Sequence, residues 1–417
     1  MDHQTETADA RADQGGSVAV AEREPTTAPS ETAVTGETVG DRRARRSSML
    51  RFAGPIVLMV LGIKALLFVY GVWFNQTSIG RNFTDLADRM SIWNRWDTTN
   101  YLSLAEHGYE TTGRAANYIV FFPGYPFSVR GLNPLIPGDT LTAAFVVAGI
   151  ASVAAALCLG YLARVDSDGD DDQALRSVWF FLIFPTAYFL HIPYTESLFL
   201  TFVIGAFLAA RTGRWATAGI LGMFAALTRL NGVLLIPALA VEAFLQYRRT
   251  GTFDRRFLWI GAIAIGAFVY LGINEYTFND PFHFQDVQKA VWYKSFEDPL
   301  TSVKNVYGGL AGHEKQGNRL MISAMELVFL AIGLIASIAA WFWTRPSYAV
   351  WAFLNVLLFA STSWVQSTPR YVLTLFPIFL LLAQLKSDGW ASRLVTAASL
   401  LLFALFAGQF AVGNWGF

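Results

Sequence analysis

An acidic residue in an aromatic setting is the first candidate for chemistry in this sequence. Asp97 lies in the segment Ser91–Pro126, which reads SIWNRWDTTNYLSLAEHGY, then a polar spacer, then YIVFFPGYP. If the first part of this segment is one helix, one face carries Ile92, Trp93, Trp96, Asp97, Asn100, Tyr101, Leu104 and His107. A carboxylate among aromatic rings loses hydration, so its retention there indicates a role beyond solubility. The alternative is that Asp97 pairs with Arg95 or caps a short surface helix.

The composition indicates a polytopic membrane protein. Hydrophobic residues make up 54% of the 417 residues, charged residues make up 15%, and the mean hydropathy is +0.39. Apolar runs of about 20 residues, the length that spans a bilayer, recur along most of the chain. The formal net charge is zero, so no bulk attraction to nucleic acid is predicted. With the single cysteine Cys158 and five scattered histidines, the sequence predicts neither a disulfide within the chain nor a tight metal site.

The chain divides into a polar N-terminal region and a long apolar region. Residues 1–47 predict a disordered, acidic, cytoplasmic tail with a basic end, and residues 48–417 predict one transmembrane domain. The first apolar run, Phe52–Phe74, is too long for a signal-peptide core and predicts an uncleaved span with a cytoplasmic N-terminus. Further spans are predicted at about 140–163, 177–193, 197–210, 215–228, 232–246, 257–278, 320–343, 347–363, 371–385 and 394–412. The sequence thus predicts an all-α bundle of about eleven transmembrane helices.

Two long connections interrupt the spans. We call residues 75–139 the first large loop and residues 279–319 the second large loop. Within the first, Tyr118–Leu132 is apolar but contains prolines, which indicates a re-entrant or interfacial piece. If this piece does not cross, the cytoplasmic connections carry Arg164, Arg176, Arg211, Arg214, Arg248, Arg249, Arg255, Arg256, Arg345, Lys386 and Arg393. Because positive residues favour the cytoplasmic side, both large loops are predicted to be extracytoplasmic.

Further polar residues occur where short outer connections meet the membrane. In the segments FPTAYFLHIPYTES, ALTRLNG and WVQSTPRY they are His191, Tyr194, Glu196, Arg229, Asn231, Gln366, Arg370 and Tyr371. The predicted topology puts all of them on the same side as Asp97. Ionisable groups at membrane depth are costly and mark sites or pathways, so their convergence predicts one. Lys64 and Glu242 lie inside spans at other depths and are left out of this predicted site.

Each of these residues also has a structural interpretation. Glu196 could only open its helix, where an acid favours the N-terminal dipole. Arg229 and Arg370 could extend to the interface or bond the last carbonyls of their helices. His191 could be a hydrogen-bonded packing residue.

Taken together, the motifs resemble those of a known family. RWDTTNYLSLAEHGY, FFPGYP, PYTESLFL, LTRLNG and STPRY occur in this order over about residues 50 to 370. The chain resembles the PIG-V family of GPI mannosyltransferases and its prokaryotic relatives, which are membrane-embedded glycosyltransferases of the GT-C type. It departs from the family pattern at Asn100, where His or another aromatic residue is expected, and at Gly124, which replaces a larger apolar residue.

The resemblance implies a GT-C-type bundle that transfers a sugar, typically mannose, with inversion. The implied donor is a polyprenyl- or dolichyl-phosphate sugar, and the implied acceptor is an extracytoplasmic glycolipid or glycan. The membrane would be the plasma membrane in a prokaryote or the endoplasmic reticulum in a eukaryote. The sequence has no Gly-rich nucleotide cradle, which favours a lipid-borne donor entering from the bilayer. A phosphate leaving group is already acidic, so one carboxylate is enough.

These implications lead to a hypothesis about residue roles. Asp97 is the general base or orients the acceptor hydroxyl, while Arg229 and Arg370 bind the donor phosphate. The predicted substrate-binding residues are Trp93, Trp96, Asn100, Tyr101, His191, Tyr194, Glu196, Asn231 and Tyr371. The scheme requires no metal or other cofactor, and the pairing of Asp97 with Glu196 leaves room for a divalent ion.

Two other classes of protein use similar features. A transporter or flippase of lipid-linked sugars would carry the same aromatic loop and arginines, but it predicts repeats with broken helices in matching halves. The sequence shows no such repeat. A non-catalytic membrane scaffold descended from an enzyme is the second alternative, and the intact Asp97 argues against it.

Overall fold

The structure is a computed structural model that describes residues 39–312 and 319–417. Residues 1–38 of the predicted tail and 313–318 of the second large loop lie outside the described residues. The compact unit that carries the fold is Ser48–Phe417. Throughout the described ranges the regular secondary structure is helical, apart from one isolated antiparallel bridge between Phe296 and Thr362. The all-α prediction is therefore confirmed.

The helices follow one another with short connections. In chain order they are α1 (Val39–Ile79), α2 (Leu86–Ser91), α3 (Asp97–His107), α4 (Gly124–Leu132), α5 (Thr140–Asp166), α6 (Asp171–Leu182), α7 (Glu196–Arg211), α8 (Trp215–Thr228), α9 (Leu235–Thr250), α10 (Ala262–Phe278), α11 (His283–Val291), α12 (Pro299–Gly312), α13 (Met325–Trp343), α14 (Pro346–Ala360), α15 (Thr368–Val372), α16 (Pro377–Ala383) and α17 (Trp390–Val412). Short 3₁₀ or π turns occupy Arg114–Val120, Asn133–Leu135, Ala187–Leu190, Leu230–Leu234, Arg255–Gly261 and Arg319–Ala324.

Six of the described helical segments are long and apolar enough to cross a membrane. They are Arg51–Ile79, Thr140–Asp166, Leu230–Thr250, Arg255–Phe278, Arg319–Trp343 and Trp390–Val412, and two shorter apolar helices are Trp215–Thr228 and Pro346–Ala360. The chain is thus an integral membrane protein, but the predicted number of about eleven spans is not confirmed.

Two of the predicted spans are interrupted helices. The predicted span at 177–193 stops being α-helical at Leu182 and continues in the short turn Ala187–Leu190. The predicted span at 371–385 is shared between α15 and α16, with a break between Val372 and Pro377. Proline has no N–H to donate and its ring clashes with the preceding turn, which explains both interruptions. Pro185 and Pro193 flank the first break, and Pro377 ends the second.

The prediction of one helix through residues 91–107 is wrong at its start. The helix α3 begins only at Asp97, because Trp96 has φ 53° and ψ −119°, which no helix accommodates. Trp93 therefore precedes the helix and does not share its face with Asp97. Its indole is fully buried and stacks on Phe410, with ring centroids 6.0 Å apart.

The apolar piece Tyr118–Leu132 contains only a short α-helix. Its helical part, α4, has nine residues, or about 14 Å, against about 30 Å for the hydrocarbon core. Gly124 begins this helix and lies against the end of α8. A Cβ at position 124 would be 2.5 Å from Thr228 Oγ1 and 2.9 Å from the carbonyl oxygen of Leu227. This close approach explains why glycine occupies position 124, where the resemblance led us to expect a larger apolar residue.

The two ionisable residues left out of the predicted site have structural partners. Lys64 Nζ donates to the carbonyl oxygen of His191 at 3.0 Å. Glu242 is buried and accepts hydrogen bonds from Arg345 Nε at 3.0 Å and from Ser347 Oγ at 2.8 Å. These contacts join helices and leave neither residue available for a ligand.

A glycine next to the predicted site provides a test of this packing. A Cβ at Gly232 would lie 2.4 Å from both the carbonyl carbon of Ala225 and the backbone nitrogen of Ala226. Because backbone atoms cannot move aside, we expect Gly232→Ala to destabilise the fold by about 1–3 kcal/mol. Thermal unfolding of the purified protein in detergent measures this. Gly272→Ala is the control, since a Cβ there meets nothing within 4 Å. Equal melting temperatures for the two variants would contradict the packing described.

Candidate active site

A large cavity opens between the two large loops and the ends of several helices. Its volume is about 800 Å³. The charged residues that line it are Asp97, Arg114, Arg229, Asp286, Lys289, Lys294 and Arg370. Aromatic rings complete much of the wall, among them Trp96, Tyr101, Phe121 and Tyr371. The cavity is therefore amphipathic and suited to a ligand with both polar and apolar parts.

An ion-pair cluster forms one wall of this cavity. Arg370 donates from Nη1 to Asp97 Oδ2 at 2.8 Å and from Nε to Glu196 Oε1 at 2.5 Å. Arg229 donates from Nη1 to the same Glu196 oxygen at 2.5 Å and to Thr195 Oγ1 at 2.9 Å. Two carboxylates thus face two guanidinium groups, and their formal charges cancel. Arg370 lies between Asp97 and Glu196, where the sequence analysis left room for a divalent ion.

Each member of the cluster lies at the end of a helix or beside a break. Asp97 and Glu196 are the first residues of α3 and α7, where a negative charge is favourable at the N-terminal dipole. Arg229 directly follows α8 in an extended conformation, with φ −154°. Arg370 lies in the five-residue helix α15. Helix ends bring these groups together because side chains there project beyond the packed helix surfaces.

The surroundings of Arg370 keep it charged and immobile. The residue is 5% exposed, and its guanidinium carbon lies 4.5 Å from the ring centroid of Tyr194 and 5.0 Å from that of Phe189. Burial alone would lower the pKa of Arg370, but the carboxylates of Glu196 and Asp97 outweigh it and raise the pKa well above its usual value. The alternative in which Arg370 extends to the membrane interface is therefore not observed.

Asp97 pairs with the distant Arg370 rather than with its neighbour Arg95. Arg95 instead donates from Nε to the carbonyl oxygen of Ile92 at 2.9 Å and from Nη2 to that of Ala411 at 3.1 Å. The Asp97 side chain is 32% exposed, and within the described parts of the chain Oδ1 has no hydrogen-bond partner. One carboxylate oxygen is thus fixed while the other faces the cavity.

Several predicted substrate-binding residues do line the cavity. They are Trp96, Asn100, Tyr101, Tyr194, Asn231 and Tyr371. Trp96 is 48% exposed and meets Trp415 edge to face at 5.4 Å. The Oδ1 atom of Asn100 is buried without a hydrogen-bond partner in the described ranges, so it is an available acceptor. Burial raises the pKa of the Tyr101 hydroxyl, and the nearby Asp97 raises it further, so this hydroxyl stays protonated.

Three predicted substrate-binding residues lie outside the cavity lining. Trp93 is buried beneath the site against Phe410. The His191 ring is buried, and neither ring nitrogen has a hydrogen-bond partner among the described residues. Glu196 is fully buried behind the two arginines that it holds. Glu196 thus contacts Arg229 and Arg370 and is not among the residues that line the cavity.

Sequence reasoning missed a buried acid that positions Arg370. Glu326 is fully buried in α13 and accepts hydrogen bonds from the backbone nitrogens of Ser367 at 2.7 Å and Thr368 at 2.6 Å. Ser367 has φ +64°, so the start of α15 is held in an unusual backbone conformation by these two bonds. An isolated acid inside the apolar run MELVFL was the available signal.

The second large loop also contributes to the cavity, which the sequence did not predict. Its residues 295–297 dock on residues 361–363: the Ser363 nitrogen donates to the Ser295 carbonyl oxygen at 2.8 Å, and the Glu297 nitrogen donates to that of Ser361 at 3.2 Å. In the same loop, one ligand atom each of Asp280, His283 and Asp286 lies within 4.8 Å of the others. These three residues come together in the folded structure, and their spacing in the sequence matches no familiar metal-binding motif.

Fold and site define an integral membrane protein that holds a charged, aromatic cavity beside two large loops. Comparison with known families then gives a narrower result: residues 77–256 match the family described as Mannosyltransferase (PIG-V). The resemblance predicted from the motifs is confirmed for this region.

Curated proteins similar to this chain carry a consistent description. GPI alpha-1,6-mannosyltransferase 2 of Mus musculus is 32% identical over 149 residues, which are 34% of this chain and 29% of that protein. The protein of the same name from Rattus norvegicus is 30% identical over 151 residues, 34% of this chain and 30% of that protein. The matched region thus spans less than a third of the length of these relatives.

Solved structures that resemble this chain distantly come from Archaeoglobus fulgidus. Its oligosaccharyltransferase, tethered to an acceptor peptide, is 12% identical with a TM-score of 0.40, covering 85% of this chain and 55% of that chain. The oligosaccharyltransferase AglB in complex with an inhibitory peptide and a dolichol-phosphate is 13% identical with a TM-score of 0.40, at the same coverage. Residue roles do not transfer across likenesses this distant.

Removal of the central carboxylate tests the ion-pair cluster. In Glu196→Gln two buried guanidinium groups lose their shared counter-charge, so we expect a loss of about 3–5 kcal/mol in stability. Thermal unfolding in detergent measures it, and the double variant Glu196→Gln/Arg229→Gln should recover part of the loss. Asp254→Asn is the control, because its pair with Arg256 lies at the surface. A melting temperature of Glu196→Gln equal to that of Asp254→Asn would show that the cluster contributes little.

Proposed function

We propose that this protein is a membrane glycosyltransferase that moves a sugar, mannose in the first instance, from a polyprenyl-phosphate donor to an acceptor hydroxyl. The observation that carries the proposal is the partly exposed Asp97, which Arg370 fixes at the wall of an amphipathic cavity of about 800 Å³. The match of residues 77–256 to mannosyltransferases supports the choice of sugar. The acceptor is a hydroxyl of a membrane-bound glycolipid or glycan.

Asp97 has the geometry of a general base. Arg370 holds Oδ2 at 2.8 Å, which orients the carboxylate and leaves Oδ1 toward the cavity. The acceptor hydroxyl gives its proton to Asp97 while its oxygen bonds to the anomeric carbon. The bond from that carbon to the phosphate oxygen breaks, and its electron pair leaves with the polyprenyl phosphate. In-line displacement of this kind inverts the anomeric centre.

The two arginines are suited to the leaving phosphate. Arg229 uses only Nη1 for its bonds to Glu196 and Thr195, and in the described parts of the chain Nε and Nη2 have no hydrogen bond. These donors can bind phosphate oxygens on which negative charge grows during transfer. The cavity rings Trp96, Tyr101 and Tyr194 supply apolar faces for the sugar and the first isoprene units. The step as written uses no metal ion.

The long apolar helices support a donor that enters sideways from the bilayer. We place the cavity on the extracytoplasmic side, because this orientation leaves most basic connections in the cytoplasm. Localisation in a plasma membrane or an endoplasmic reticulum follows from the host.

A transporter of lipid-linked sugars is the second candidate function. The interrupted segments around residues 183–195 and 373–376 favour it, because broken helices are typical of transporter sites. The two candidates differ in their product, since a transporter moves the donor without breaking the bond between sugar and phosphate.

The Asp97→Asn variant distinguishes a glycosyltransferase from a transporter. With radiolabelled polyprenyl-phosphate mannose in membranes, we expect wild-type transfer to fall about 100-fold or more in this nearly isosteric variant. Glu106→Gln is the matched control, since Glu106 is an exposed acid on the same helix. Expression and insertion are checked for both. Equal transfer by wild type and Asp97→Asn would contradict the assignment of Asp97 as the general base. Movement of the intact donor across the bilayer without sugar transfer would favour the transporter.

A further inference from the structure

The ion-pair cluster at the cavity wall offers no excess positive charge to a phosphate. Glu196 and Asp97 neutralise Arg229 and Arg370, so these four side chains carry no net charge. The donor phosphate carries one negative charge, and the departing polyprenyl phosphate carries a second. A site without excess positive charge would bind either species poorly, since both exchange water for a cavity with low polarity.

Among the described residues, Lys294 supplies a positive charge at this wall without forming an ion pair. It lines the cavity, and within the described parts of the chain no carboxylate lies within ion-pair distance of it. Its Nζ lies 5.4 Å from the ring centroid of Tyr371, and the guanidinium carbon of Arg229 lies 5.2 Å from the same centroid. Lys294 and Arg229 therefore both lie over the ring of Tyr371, the residue that directly follows Arg370 in the chain.

The backbone beside Lys294 is fixed rather than free. The bonds from residues 295–297 to residues 361–363 hold it on one side, and the Lys294 nitrogen donates to the carbonyl oxygen of Gln288 at 3.1 Å. The preceding residue, Tyr293, has φ +53°. Strained conformations of bulky residues persist only where the surroundings impose them, and they concentrate at functional sites.

Positive φ angles also occur next to other charged residues of the cavity wall. Six non-glycine residues of the described ranges have positive φ: Trp96, Asp168, Asn279, Tyr293, Ser367 and Phe417. Three of them lie beside the cavity charges, since Trp96 precedes Asp97, Tyr293 precedes Lys294, and Ser367 begins the turn that carries Arg370. Lys294 thus shares the backbone signature of the two residues already assigned to the chemistry.

We infer that Lys294, delivered by the second large loop, binds the phosphate of the polyprenyl-phosphate donor together with the free nitrogens of Arg229. The inference rests on the proposed function and adds to it the residue that supplies the missing charge. Lys289 and Arg114 also line the cavity, but among the described residues only Lys294 and Arg229 place a cation over the Tyr371 ring. Lys294 is therefore the cation that distinguishes a phosphate-bearing lipid from an uncharged one.

Direct binding tests this role without requiring sugar transfer. The purified full-length protein in lipid nanodiscs is titrated with polyprenyl monophosphate and, separately, with the uncharged polyprenol of the same chain length. For Lys294→Gln we expect affinity for the phosphate to fall about tenfold or more, with affinity for the alcohol unchanged. The salt dependence of phosphate binding should also weaken. Lys294→Arg should keep most of the affinity.

Matched controls separate Lys294 from general charge and from misfolding. Lys304→Gln removes an exposed lysine of the same loop and should bind both lipids as wild type does. An equal loss of phosphate affinity in Lys289→Gln would overturn the inference, since the overall charge of the cavity would then be responsible. If Lys294→Gln and Lys294→Arg both lost affinity for the phosphate and for the alcohol, the inference would also be overturned, because the lysine would then be needed for the folded structure rather than for the phosphate.

The outcomes also separate this inference from the proposed function. If wild type transfers mannose and Lys294→Gln binds polyprenyl phosphate normally, the inference is wrong and the transferase stands. If binding of the phosphate depends on Lys294 but wild type transfers no sugar, the inference stands and the transferase is wrong. Equal affinity of wild type for the phosphate and the alcohol would overturn the inference.

Discussion

A buried carboxylate shared by two arginines is the interaction on which the site depends. Glu196 cannot remain ionised without exposure to water unless cations compensate it, and Arg229 and Arg370 do so from two other parts of the chain. Arg370 also donates from Nη1 to Asp97. An unpaired buried charge is costly, so these ion pairs favour the arrangement in which the starts of α3 and α7, the end of α8 and the short helix α15 meet. Their meeting forms one wall of the cavity.

The same constraint explains why the site uses interrupted helices. A continuous helix satisfies its own backbone and leaves no groups to fix a ligand, whereas a break exposes N–H and C=O groups that need partners inside the protein. Glu326 satisfies two such N–H groups at the start of α15 and thereby fixes the residues that lead to Arg370. Prolines around the breaks prevent these segments from closing into regular spans. The irregular segment at the start of α15 is therefore held by specific hydrogen bonds.

Local patterns in the sequence predicted some of these features and could not predict others. Asp97, Arg229 and Arg370 stood out because charges beside apolar runs are costly, and that argument needs no knowledge of the fold. The separation of Trp93 from Trp96 was missed, because helical periodicity does not reveal a backbone turned to positive φ at Trp96. Several long apolar helices were predicted within a few residues of their ends. The predicted spans at 177–193 and 371–385 were treated as continuous helices, although both are interrupted near prolines. Lys294 and Glu326 reach the site only through tertiary contacts; the apolar run around Glu326 marked that acid as unusual, but neither neighbourhood indicated which residues it would meet.

Gly124 also ties the first large loop to the arginine wall. Its α-carbon lies so close to Thr228 that no side chain fits between them, and Thr228 is the residue before Arg229. Positions 124 and 228 therefore form one steric unit. A smaller residue at the second position would not be enough to admit a side chain at the first, because a Cβ at position 124 would also lie 2.9 Å from the Leu227 carbonyl oxygen and 2.9 Å from the Thr228 α-carbon. A relative with a larger residue at position 124 must therefore carry the backbone at the end of α8 along another path, and the arginine that follows would move with it.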